Sequence, residues 1–201
     1  MEKSISYRTI KCSIISTNCR GGSVSAHGHE DHSTASKPTV STPATDLRAT
    51  LGTLLSEHGN LAIIAMRKGI EGAEDFEAAS AQLNENTQAL SGAIGSVYGE
   101  EAGAAFEKMW SEHVGYFVQY VQGTAEEDEE KKQAALDELS QYRKDFSAFL
   151  ETATEGRVEA DALAEGLQEH VNQLIGAFDA YVAGDYEEAF NMQQKPELTC
   201  L

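Results

Sequence analysis

The chain has 201 residues, a formal net charge of −18 from 33 acidic against 15 basic residues, and a mean hydropathy of −0.39. That length suits one ordinary domain with a sizeable core and is too short for two full ones. The charge repels phosphate backbones and anionic lipid headgroups, so nucleic acid is excluded as an expected partner, and the same field attracts metal cations. No apolar run approaches the roughly 20 residues that span a bilayer, so no membrane insertion is expected.

Residues 1–45 are rich in Ser and Thr, carry Pro38 and Pro43, and show no sustained helical or alternating period. They read as a disordered tail, a degenerate signal peptide followed by a linker. Val24-Ser25-Ala26 has the small residues of a cleavage site, while upstream Ile5, Ile10, Ile14 and Ile15 are separated by Arg8, Lys11 and hydroxyl residues. Export to the cell surface or medium is the expectation. Cleavage after Ala26 would leave a chain beginning His27-Gly28-His29-Glu30-Asp31-His32. A free amine with histidine in third place wraps Cu(II) or Ni(II) in a square of nitrogens, which makes His27, His29 and His32 a conditional copper or nickel site. Cys12, Cys19 and Cys200 all lie in the two tails, and a thiol-free body suits an oxidising environment.

From Asp46, expected as an N-cap, the period changes to about 3.6, with Leu47, Leu51, Leu54, Leu55, Leu61, Ala62, Ala65 and Met66 on one stripe and Gly69 and Gly72 at the end. A second helix is predicted from about Glu74 to Tyr98, closed by Gly99. The next unit carries Phe106, Met109, Trp110, Phe117, Tyr120 and Val121, a turn near Gly123, and then Leu136, Leu139, Tyr142, Phe146 and Phe149. Glu126-Glu127-Asp128-Glu129-Glu130 followed by Lys131-Lys132 reads as a solvated helix start. The third unit begins near Val158, with Leu163, Leu167, Leu174, Phe178 and Tyr181, and Gly184-Asp185-Tyr186 opens a last helix that runs toward Pro196. The expected architecture is an all-α antiparallel bundle of repeated helical hairpins with five to six helices over residues 46–192, and an irregular tail over 193–201.

Each unit places a Glu-His pair at one point of its first helix: Glu57-His58, Glu112-His113 and Glu169-His170, spaced 55 and 57 residues apart. That period fits two helices and two short connections. All three histidines fall on the apolar stripes, whereas the glutamates, about 100° around the helix, fall on the flank. Three neutral imidazoles around one ion leave a fourth position open, an arrangement that zinc, copper or iron accepts. His58, His113 and His170 are therefore the candidate ligands, with Glu57, Glu112 and Glu169 as supporting carboxylates that orient the rings or as supplementary ligands. Adjacent Glu and His do not match the helical dimetal pattern, in which the two stand three residues apart. Two rival readings stay open: a cell-surface structural or interaction module in which the pairs are core hydrogen bonds, and a metal-dependent oxidase. The chain offers no phosphate loop, no nucleophile elbow, no Cys-x-x-Cys and no basic stripe, and the reading leans away from an enzyme.

The runs Leu54-Leu55-Ser56-Glu57-His58, Gly92-Ala93-Ile94-Gly95-Ser96-Val97-Tyr98-Gly99 and Asp179-Ala180-Tyr181-Val182-Ala183-Gly184-Asp185-Tyr186 resemble a group of poorly characterised secreted helical-bundle proteins of Gram-positive bacteria, often named through an attached copper amine oxidase-type N-terminal domain. The resemblance covers about 46–192 and implies export and a helical bundle; it brings no activity, and the copper label belongs to the neighbouring domain. Such proteins carry a clean apolar signal and a longer last helix with another histidine. The departures at both ends raise the expectation that the two tails are out-of-frame translations.

Overall fold

The computed structural model describes residues 41–194. The conditional copper or nickel residues His27, His29 and His32, the expected cleavage site, the three cysteines and Pro196 lie outside the described residues. Six helices follow in order: α1 (Pro43–Glu71), α2 (Phe76–Tyr98), α3 (Glu100–Ala125), α4 (Glu129–Ala153), α5 (Ala160–Val182) and α6 (Tyr186–Gln193). All regular structure among the described residues is helical, the expected all-α bundle.

The helix ends follow local chemistry. α1 starts earlier than the expected Asp46 cap, because Pro43 occupies its first turn and Thr42 caps it in a reciprocal box: the Thr45 N–H donates to Thr42 Oγ1 (3.2 Å) and the Thr42 N–H donates to Thr45 Oγ1 (2.7 Å). At the other end Gly72 takes the left-handed conformation, φ 60°, that closes the helix as expected. Asp128 caps α4 through the Lys131 N–H (3.0 Å) and Asp185 caps α6 through the Glu188 N–H (3.1 Å). The turn expected near Gly123 comes later. α3 continues to Ala125, and Gly123 lies buried inside it, where an added Cβ would sit 2.9 Å from the backbone nitrogen of Lys132. Its missing side chain serves the close approach of α4 to α3, not a break in the helix.

Each helix packs on the next in sequence, and α1 reaches across to α3 and α5 as well. Short connections make α1, α3 and α5 run in one direction, with α2 and α4 opposed to them. The interior is divided into two apolar clusters. A lower one, toward the C-terminal ends of α1, α3 and α5, gathers Ile63, Leu83, Tyr120, Leu139 and Phe178; an upper one gathers Leu90, Phe106, Trp110, Phe146 and Leu163. Fully burying a Leu, Ile or Phe side chain stabilises by about 1.5–3 kcal/mol, so the two clusters hold the helices together. The histidines lie at the boundary between them.

Candidate functional site

The repeat puts the same residue type at the same depth three times. His58, His113 and His170 are 2%, 3% and 7% exposed, as their positions on the apolar stripes predict, and they come from the three helices that run in one direction. The His58 and His113 Nε2 atoms face each other at 3.4 Å. Ring centroids are 5.3 Å apart for His58 and His113 and 6.1 Å apart for His58 and His170. Aromatic rings enclose the layer: Trp110 stands 4.9 Å from His58 and 4.6 Å from His113, and Tyr142 of α4 stacks on His113 at 4.9 Å.

The glutamates do not join them. Glu57, Glu112 and Glu169 are all exposed. Glu57 Oε2 accepts from Asn86 Nδ2 at 3.1 Å, and Glu112 stands 3.9 Å from the Lys108 ammonium. One helical step turns the side chain by about 100°, enough to take each carboxylate past the flank of the buried face to the bundle surface. Supporting carboxylates for the rings, and core Glu-His hydrogen bonds, are both corrected by this placement.

Buried polar atoms are normally paired. Among the described residues, the Nδ1 atoms of all three histidines have no hydrogen-bond partner, and neither do Trp110 Nε1 and Tyr142 Oη beside them. Five partnerless polar atoms thus belong to one layer of the interior. The side chains that complete this environment, Trp110 and Tyr142, carry a weak sequence signal: both lie on apolar stripes, where an aromatic ring with a polar tip reads simply as core.

Burial keeps the rings neutral. Removal from water, helped by the proximity of His170, lowers His58 to about 3, and removal from water lowers His170 to about 4. His113 is pushed well below its ordinary value by burial first, then by His58 and His170, with the Trp110 carbonyl acting weakly in the opposite sense. At neutral pH every ring therefore offers a lone pair, the form a metal ion requires. Burial, with a small contribution from Glu112, raises the Tyr142 phenol well above its usual range, so it stays protonated.

Cavities adjoin the layer on both sides. An upper one of about 490 Å³ is lined by His58, His170 and Trp110 together with the upper apolar cluster, and a lower one of about 130 Å³ by His58, His113 and Phe117. Among the described residues, no three His, Cys, Asp or Glu side chains are arranged in this conformation as a completed metal-holding group. No protein-family model, curated protein or solved structure matches the chain, so the layer is read from its own chemistry.

Proposed function

We propose that the bundle binds one transition-metal ion, of the copper, zinc or iron class, through His58, His113 and His170. The observation that carries this reading is the convergence of three neutral, buried imidazoles at one depth, two of them with Nε2 atoms 3.4 Å apart. Two nitrogens on a single tetrahedral ion stand roughly 3.3 Å apart, because each bond is about 2.0–2.1 Å. A neutral hydrogen bond between two rings has its optimum nearer 2.9–3.0 Å, so the observed separation suits shared ligation better.

The third ring has to close on the pair. Imidazoles sharing one ion have centroids roughly 5 Å apart, which His58 and His113 meet and His170, at 6.1 Å from His58, exceeds by about 1 Å. The cavities on either side leave room for that adjustment.

The reading is tested by metal analysis of freshly purified protein together with thermal unfolding in Cu(II), Zn(II) and Fe(II). Free ion at a hundredfold excess over Kd stabilises by about 2.7 kcal/mol. One equivalent of ion per chain and a shift that disappears in His113→Leu is the expected result. Protein that carries no metal and gains no stability from any of the three ions overturns it.

A further inference from the structure

An ion held by His58, His113 and His170 gains no countercharge from its ligands, because imidazole binds a metal in its neutral form. The neighbouring carboxylates of Glu57, Glu112 and Glu169 are exposed. Glu159, the carboxylate that lines the upper cavity, precedes α5 and is separated from His170 by about 16 Å of helix. Aromatic rings surround the layer instead: Trp110 lies 4.9 Å from His58 and 4.6 Å from His113, and Phe117 lies 6.1 Å from His113 and 6.3 Å from His170. The charged side chain that does reach the layer is a cation. Arg143 of α4 lines a small void together with Trp110, His113, Tyr142 and His170. Its Nε is buried without a hydrogen-bond partner, and among the described residues Arg143 forms no ion pair.

Both features act against a high charge on the ion. The cost of moving an ion from water into a low-dielectric interior rises with the square of its charge, so it is about four times larger for a divalent ion than for a monovalent ion of similar size. Repulsion by Arg143 is linear in that charge and about twice as large for the divalent ion. We infer that the layer selects a monovalent cation, Cu(I), over divalent ions, which bind at the same three histidines more weakly. Copper is the metal of the copper, zinc and iron class that offers a stable monovalent ion, and imidazole is a ligand that suits it. This inference rests on the metal reading of the three histidines and narrows it.

Cu(I) and Zn(II) both have a filled d shell, so comparing them separates charge from ligand-field preference. The test measures the two affinities on metal-free, full-length protein without oxygen, Cu(I) in competition with bicinchoninate and Zn(II) in competition with zincon. Cys12, Cys19 and Cys200 are alkylated beforehand because thiols bind both ions, and the binding counted is the part lost in His113→Leu. Expected is one Cu(I) per chain, held at least about a hundredfold more tightly than Zn(II). Arg143→Gln removes the adjacent charge, and its effect on Zn(II) should be the square of its effect on Cu(I), roughly tenfold tighter against roughly threefold. Circular dichroism checks that the variant folds, and Arg143→Leu repeats the measurement if it does not. Zn(II) bound as tightly as Cu(I), or more tightly, overturns the inference and leaves the metal reading standing. So does a ratio of the two affinities that is unchanged or wider in a folded Arg143 variant. Binding of neither ion overturns both.

Discussion

Two buried tyrosines, one below the histidine layer and one beside it, show how differently the two parts of the core treat a polar group. Tyr120, in the lower cluster, donates its hydroxyl to Asp179 at 3.0 and 3.1 Å and has the Lys132 ammonium 5.6 Å from its ring centroid. Tyr142, stacked on His113, has no partner for its hydroxyl among the described residues. The lower tyrosine is built into the fold, with Asp179 on α5 and Lys132 on α4 meeting it on α3. The upper one belongs to the layer in which the His58 and His113 Nε2 atoms face each other. Leaving a buried polar atom unpaired costs about 1–3 kcal/mol, a cost that the apolar clusters on either side of the layer offset.

The comparison can be broken most forcefully with acid. The histidines are neutral in the fold and have an ordinary value near 6.5 once unfolded, so above pH 6.5 they make stability independent of pH. As pH falls below 6.5 the unfolded chain takes up protons that the folded rings refuse, and the stability held by His58 and His170 drops until about 3 and about 4, where those two rings protonate in the fold. At pH 5 the loss is about 2 kcal/mol each for His58 and His170, and His113 adds to it in the same direction. Urea unfolding at pH 7.5 and 5.0 measures it, and His58→Leu should remove about 2 kcal/mol of it; a flat profile would place the rings in contact with water.

Next in size is the lower cluster. Phe178, fully buried, is expected to cost about 3–5 kcal/mol on replacement by alanine. Leu163, beside the existing upper cavity, should cost nearer 2 kcal/mol, because the surrounding space is already partly empty. Equal losses in denaturant unfolding would mean that both halves are packed alike. The two tyrosines should then part company: Tyr120→Phe is expected to destabilise by about 1–2 kcal/mol, while Tyr142→Phe removes an unpaired hydroxyl and leaves stability level or up to about 1 kcal/mol higher. The smallest effect belongs to the glutamates. Converting the exposed Glu57, Glu112 and Glu169 together to Gln should change stability by about 0.5 kcal/mol or less per site and leave the metal response intact; loss of that response would restore the carboxylates to the site.

The periodicity of the chain made most of this architecture legible. Apolar residues at helical spacing, with Gly72, Gly99 and Asp185 as punctuation, define the helices, and the 55- and 57-residue spacing of the Glu-His pairs brings the histidines to one depth. What local pattern could not give was partnership. Asn86, in the middle of α2, donates to Glu57, and no signal within α1 announces it. Gly123 reads as a turn from its own neighbourhood, and only the approach of Lys132 from α4 explains why it stays helical. The cavities and the unpaired Nδ1 atoms likewise depend on how five helices meet, which helical spacing within each one leaves undetermined.

Trp110 offers the most direct measurement of the central claim, because its ring lies within 5 Å of both His58 and His113. A Cu(II) ion held by the three histidines would quench it by proximity. Quenching is expected to saturate at one copper per chain in the wild-type protein and to be lost in His58→Leu, His113→Leu and His170→Leu variants that remain folded by circular dichroism. Absence of quenching, or quenching of equal strength in those variants, would contradict it.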